Sequence, residues 1–316
     1  MIKNVVVVGG GVLGSQIAYQ AAYRGFNVTI WLRDDGSIDI TKPKIKTLHE
    51  TYEKTLKFMM TPAGKTPYTF ARGLAQDANS FSDEVAKKCL KANDDALKNL
   101  KYEFDMAKAV KDADLVIEAV SENPNVKNSV FSQLAKCMPE KTILCTNSST
   151  LLPSAFAEVT GRPAKFLALH FANNIWKSNT AEVMGHAGTD PKAFNEVVEF
   201  SKQLGMIPLP LHKEQPGYIL NTMLVPFLSA SMYLCAEEIA DFQTVDLTWK
   251  LATGAPKGPF EIIDIVGLLT TYEIVSHKPG ADDPKTPQGR VAKMLKTRID
   301  QGKLGVGTGE GFYKYK

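Results

Sequence analysis

The chain opens on Val5–Val8, four β-branched residues with no polar alternation, which predicts a strand buried on both faces of a parallel sheet. Gly9-Gly10-Gly11-Val12-Leu13-Gly14 follows, then Ile17, Ala18, Ala21 and Ala22 at helical spacing, then a second strand pattern over Asn27–Leu32. Further strands are expected at Leu115–Val120, Thr142–Thr146, Lys165–Phe171, Ala181–Met184 and Met206–Leu211. Helical patterns lie between several of them, as at Lys127–Lys136 and Pro191–Leu204. Strands alternating with helices predict a doubly wound α/β sheet. From Pro216 the strand signal stops, and Gly217–Ala240, Val245–Leu251, Leu268–Val275 and Arg290–Gln301 read as helices separated by Gly/Pro stretches. Two domains are therefore expected, an α/β domain over 1–210 and an all-α domain over 211–316.

One segment breaks the α/β rhythm. Residues 36–101 are mostly helical in pattern (Ile45–Met59 and Asp83–Leu100) around a Pro/Gly-containing turn near Thr61–Pro67. A helical hairpin inserted after the second strand is the simplest reading. It holds twelve Lys or Arg against eight Asp or Glu, a net +4 on a chain whose total is +3. Two readings stand: a solvated helix pair kept soluble by its lysines, or an electropositive arm for a polyanionic ligand.

Composition excludes more than it selects. At 316 residues, 44% hydrophobic and 22% charged, the chain is an ordinary globular one. A net charge of +3 is too small to imply a nucleic-acid partner. The four cysteines (Cys89, Cys137, Cys145, Cys235) form no C-x-x-C pair, so neither a metal site nor a disulfide framework is expected, and a cytoplasmic setting fits. Val5–Val8 is too short for a signal-peptide core. The most lipid-like window, Tyr218–Ala236, is interrupted by Asn221, Thr222, Ser229 and Ser231, and reads as a buried or dimer-interface helix rather than a membrane span.

The G-x-G-x-x-G stretch has the context a dinucleotide fingerprint requires, directly after a buried strand and opening a helix. Gly9 allows the tight turn, Gly11 admits a pyrophosphate close to the backbone, and Gly14 permits close helix–strand packing. Val12 and Leu13 open the helix whose free N–H groups would face the phosphates. The second fingerprint element departs from the NAD pattern. Where an acidic residue would bond the ribose 2′-hydroxyl stands Leu32, followed by Arg33, which can pair with a 2′-phosphate. Asp34 and Asp35 come next, so NADP is favoured while NAD stays open.

Polar clusters sit at or near strand ends. Asn147-Ser148-Ser149 follows the strand Thr142–Thr146, at its carboxyl end, where open α/β sheets bind ligands. His170 lies near the end of the next strand and Glu182 near the start of the one after. A hairpin between those strands would set a carboxylate beside an imidazole, the arrangement of a competent acid/base. His49, His186, His212 and His277 read as structural.

Seven segments then match a known pattern in order and spacing. They are V-V-V-V-G-G-G-V-L-G, D-L-V-I-E-A-V-S-E-N-P-N-V-K-N, T-N-S-S-T-L, L-H-F-A-N-N, Q-P-G-Y-I-L-N-T-M-L-V-P, G-P-F-E-I-I-D-I-V-G-L and G-K-L-G-V-G-T-G-E-G-F-Y-K-Y. Over nearly its full length the chain resembles the 3-hydroxyacyl-CoA dehydrogenase family of fatty acid metabolism. The resemblance implies a Rossmann-type domain with a helical hairpin that helps hold CoA, a helical dimerisation domain, and NAD as the usual cofactor. It implies that His170 is the general base, Glu182 its partner carboxylate, Ser149 the serine that bonds the substrate's 3-oxygen, and Asn221 the asparagine completing the polar pocket. Glu122 and Lys127 match contacts near the nicotinamide end of the cofactor, and Asn147 falls in the same strand-end loop.

The chain departs from the family after H-F, where F-N-P is usual and Ala172-Asn173-Asn174 stands instead. Ile175-Trp176-Lys177-Ser178-Asn179 is bulkier and more polar than a plain acyl chain would ask for. Substrate contact and a re-packed turn are both open readings of this loop. The implied activity is interconversion of 3-hydroxyacyl-CoA and 3-oxoacyl-CoA by hydride transfer. The alternatives are a dehydrogenase for a small CoA-free β-hydroxy acid or diketone and, from another class, a non-catalytic cofactor-binding protein. A homodimer is expected.

Overall fold

A computed structural model describes residues 2–315. The parallel sheet grows out of the apolar runs: β1 (Asn4–Val8), β2 (Asn27–Trp31), β4 (Leu115–Glu118) and β5 (Ile143–Thr146) have their valine, isoleucine and leucine side chains buried on both faces. A short β3 (Lys101–Glu103) closes one edge, and β6 (Phe166–Phe171), β7 (Thr180–Met184) and β8 (Ile207–Leu211) extend the other. The order is β3-β2-β1-β4-β5-β6-β7-β8, parallel throughout except for the antiparallel pair β6–β7.

Helices cover the sheet. After β1 comes α1 (Val12–Tyr23); after β2 comes the hairpin of α2 (Asp35–Met59) and α3 (Asp83–Asn99), joined through a 3₁₀ turn at Pro62–Lys65. Asp34 and Ser82 cap the two hairpin helices by accepting from the Ser37 and Val85 amides. Tyr52 of α2 is fully buried against Tyr19 and Tyr23 of α1, ring centroids 5.0 and 5.5 Å away, which fixes the hairpin to the sheet layer. Lys57–Glu53, Lys88–Glu84 and Lys91–Asp95 are exposed i,i+4 pairs, so part of the hairpin's positive charge is spent on its own surface. Then follow α4 (Met106–Val110), α5 (Pro124–Cys137) and α6 (Pro191–Gln203).

The chain divides into two compact units between Ile219 and Leu220, not at 210/211. The extra segment stays with the sheet for a physical reason: the Gln215 amide meets Met184 Sδ at 3.1 Å, and Tyr218 is buried with Ala168 and Met184. The second unit consists of α7 (Leu220–Ala236), α8 (Phe242–Thr253), α9 (Pro259–Val266), α10 (Leu268–Ser276) and α11 (Pro287–Asp300). Its core gathers Leu228, Met232, Phe260, Ile263, Leu268 and Leu295. Asp264 ties down the C-terminal segment, accepting from the Phe312 and Tyr313 amides and the Tyr315 hydroxyl at 2.8–2.9 Å. Among the described residues no helix is long and apolar enough to cross a membrane.

Candidate active site

The glycine loop has the shape of a phosphate cradle. Gly9 takes φ +113°, and a Cβ there would meet the Ala119 carbonyl just past β4 at 2.8 Å, so the turn from β1 into α1 needs a glycine. A Cβ on Gly14 would lie 2.2 Å from the Gly9 carbonyl, which explains the close seating of α1 on β1. Gly11 is different: a Cβ there meets nothing within 4 Å. It is the N-cap of α1, and no side chain caps that helix. Val12, 63% exposed, and the half-buried Leu13 form the first turn, so backbone N–H groups are left facing open space, as a pyrophosphate requires. Gly11→Ala is accordingly expected to keep the thermal midpoint of the parent while weakening NADH binding at least tenfold in a fluorescence titration. Gly14→Ala should fail to fold.

At the end of β2, Leu32 is buried at 2% exposure and offers no carboxylate. Arg33 is 84% exposed, its Nε 3.0 Å from Asp34 Oδ2. Asp34 is already committed to Ser37, whose amide and hydroxyl donate to Oδ1. Lys44 of α2 reaches back to within 3.3 Å of the Gly10 carbonyl.

The Ser–His–Glu set follows from sheet register. In the antiparallel pair β6–β7, His170 stands opposite Glu182. The His170 Nδ1–H donates to Glu182 Oε2 at 2.8 Å, because a carboxylate can only accept. Nε2 is then left facing Ser149 Oγ at 3.2 Å. Both His170 and Glu182 are buried. The sequence-expected trio of Ser149, His170 and Glu182 is thus brought together at the carboxyl end of the parallel strands.

Glu122 organises the loop that carries Ser149. Its Oε1 accepts from the Ser148 hydroxyl (2.6 Å) and from the Ser149 and Thr150 amides (3.0 and 2.8 Å). Burial pushes this carboxyl up, but the bonds from Ser148 and Thr150 and the charge of Lys127 outweigh it and hold it below the ordinary value. Asn147 Oδ1 accepts from the Phe171 amide at 3.2 Å, tying the same loop to β6. Lys127 is 1% exposed beneath the loop: its Nζ lies 2.8 and 3.0 Å from the two oxygens of Glu118 and 3.4 Å from Glu122 Oε2. Asn221 is the second residue of α7, half-buried, in the other unit.

Two supporting residues escaped the sequence reading. Glu118, fully buried, also accepts from Thr146 Oγ1 and the Val120 amide; an acid ending an otherwise apolar strand was the signal for it. Tyr218 stacks on His170 with centroids 4.4 Å apart and planes 8° apart; it ends Q-P-G-Y, three residues before Asn221.

The loop 172–179 turns its bulk inward. Asn174 takes φ +60°, a left-handed conformation open to asparagine and closed to the proline of the family pattern. Ile175 and Trp176 are buried, Trp176 packing 5.4 Å from Tyr52 and accepting from the Gly73 amide through its carbonyl. The Asn174 amide donates to Gln16 Oε1 of α1 at 2.8 Å. Asn173 and Asn174 stay exposed.

A dinucleotide cradle at one strand end and a Ser–His–Glu set a few strands along define a nicotinamide-dependent oxidoreductase. Models of the 3-hydroxyacyl-CoA dehydrogenase NAD-binding domain match residues 4–66 and 63–215, and that family's C-terminal domain matches 217–315. The chain belongs to the 3-hydroxyacyl-CoA dehydrogenase family. It is 35% identical to the mitochondrial hydroxyacyl-coenzyme A dehydrogenase of Rattus norvegicus over 318 residues, covering all of this chain and 92% of that one. It is 30% identical to a probable 3-hydroxybutyryl-CoA dehydrogenase of Deinococcus radiodurans, covering 98% of this chain and 99% of that one. Among solved structures, a diketoreductase acting on dicarbonyl compounds superposes with a TM-score of 0.83 at 47% identity, covering 99% of both chains. The sheet, the helical second unit and the dinucleotide-binding domain expected from sequence are therefore those of the family, whose matching domain binds NAD.

Proposed function

We propose that the chain interconverts a 3-hydroxyacyl-CoA and its 3-oxoacyl-CoA, with His170 as the acid/base. The observation that carries this reading is the line of hydrogen bonds Ser149 Oγ···His170 Nε2 (3.2 Å) and His170 Nδ1···Glu182 Oε2 (2.8 Å). When bound, the nicotinamide supplies or accepts the hydride. In oxidation His170 Nε2 takes the 3-hydroxyl proton, and Glu182 stabilises the imidazolium that results. In reduction the same imidazolium protonates the 3-oxygen. Ser149 orients that oxygen. Glu122 and Lys127 act on the cofactor end, Glu122 through the loop it holds and Lys127 through Glu122. Gly9, Gly11 and Gly14, with the first turn at Val12 and Leu13, hold the pyrophosphate.

A second reading, a CoA-free β-hydroxy acid or diketone as substrate, is favoured by one specific pair of observations. The solved diketoreductase is 47% identical, and the loop after His170 replaces the family's proline with a left-handed Asn174. A reductase assay with acetoacetyl-CoA and free acetoacetate separates the two: preference for the ester supports the leading reading, preference for the free acid the second. In the leading reading, the basic hairpin is the part that would hold the CoA polyanion.

The finer cofactor reading is NADP, on the burial of Leu32 and the exposure of Arg33 beside it. Arg33→Ala is then expected to weaken NADPH binding about tenfold, a 1–2 kcal/mol charge-assisted contact, with NADH affinity nearly unchanged. Equal loss for both cofactors in a fluorescence titration would end the preference. A homodimer through the helical unit, supported by the exposed apolar residues Met223, Tyr233 and Leu247, and a cytoplasmic setting complete the reading.

A further inference from the structure

We infer that Tyr218 is a positioning residue for proton transfer: its ring steadies the His170 imidazolium and its hydroxyl anchors the backbone that carries Ser149. This rests on the assignment of His170 as the acid/base. The backbone is the first sign that the residue is held for a purpose. Gly217 and Tyr218 are successive left-handed positions, φ +80° and +55°. A bulky aromatic is disfavoured there and persists only where its side chain is held by surrounding contacts.

Those contacts reach the whole catalytic set. The Tyr218 ring lies face to face with the imidazole at 4.4 Å. Its hydroxyl donates to the Ser148 carbonyl at 2.7 Å, one residue before Ser149. The next amide, Ile219 N–H, donates to Glu182 Oε1 at 2.9 Å, leaving Oε2 for His170. One two-residue strap therefore touches the imidazole, its carboxylate and the serine loop.

The phenol is a tether and not a proton donor to substrate. Burial first, then the charges of Glu122, Glu182 and Glu118, push it far above the ordinary tyrosine range. Its proton is aimed at a backbone carbonyl. An aromatic face within about 6 Å of a desolvated cation favours the charged form. Here the cation is the imidazolium, which His170 must become in oxidation and must be in reduction. The groups facing this ring pair are Glu182 on β7, Glu122 and Glu118 at and beyond the end of β4, Cys145 on β5 and Ser149. The carboxylates favour the cation too, and the ring's share is what the variants isolate.

The test compares Tyr218→Phe with Tyr218→Leu in the reductase direction, where the rate falls once the imidazolium is lost with rising pH. NADH titration and a thermal melt establish that each variant is folded, with Tyr218→Met standing in should Leu fail. In the Leu variant the descending limb of the pH–rate profile should move about one unit toward acid, the roughly tenfold shift of a desolvated cation–π contact. The Phe variant should keep the parent profile and lose roughly three- to tenfold in kcat with KM little changed, because the anchor of the Ser149 loop has gone. A Leu profile that overlies the parent's overturns the inference, as does a Phe variant with full turnover. If His170→Gln keeps its turnover, the assignment of the base has failed instead, and the two failures are distinguishable.

Discussion

His170→Gln is expected to lower turnover about 10²–10⁴-fold, the usual worth of a positioned acid/base, while cofactor binding survives. The imidazole reaches both the carboxylate at 2.8 Å and the serine hydroxyl at 3.2 Å, so it is placed to move the proton between them and the substrate. Glutamine fills similar volume and can still donate to Glu182, which limits the damage to a buried carboxylate that also receives the Ile219 amide. The glycine cradle is built from β1, α1 and the Ala119 turn and makes no use of His170. Steady-state kinetics with an NADH titration of the same preparation checks both halves. Unchanged turnover would remove His170 from the mechanism. Glu182→Gln should cost less, since it removes the partner that stabilises the imidazolium but leaves the base in place.

The framework of this site was legible because it depends on periodicity and register. β1, β2, β4 and β5 are β-branched runs bounded by polar turns, and each falls within two residues of its expected span. His170 and Glu182 were readable as a pair because two adjoining strands joined by a short loop put them opposite each other. What periodicity does not carry was missed. β3 is three residues of mixed polarity, α4 and α9 are five and eight residues long, and each is held by packing more than by pattern. The stacking of Tyr218 and the pairing of Glu118 with Lys127 are tertiary contacts between distant segments, and neither leaves a period. The loop after His170 left two readings open for the same reason: Trp176 and Ile175 are buried, Trp176 against Tyr52 of the hairpin, while Asn173, Asn174, Lys177 and Ser178 face outward.

Lys127→Met is expected to destabilise the sheet-containing unit by about 3–5 kcal/mol, the cost of leaving one member of a buried ion pair unpaired. Glu118 is fully buried and Lys127 is 1% exposed, so water cannot replace the lost ammonium. The Val120 amide and the Thr146 hydroxyl would still bond Glu118, but they do not cancel its charge. For a unit of this size the loss corresponds to a fall of roughly 10 °C in thermal midpoint. The double variant Glu118→Gln/Lys127→Met should recover much of it, because a neutral amide keeps the Thr146 contact and no buried charge remains. Turnover should stay low in both, since Glu122 has lost the cation 3.4 Å away and with it part of its hold on the Ser149 loop. The outcome also decides between the proposed cofactor contact of Lys127 and a purely supporting role. A single variant as stable as the parent, with NADH affinity reduced and turnover otherwise intact, would make Lys127 a direct ligand. A destabilised variant rescued by the second substitution makes it the support beneath Glu122, which is where its burial places it.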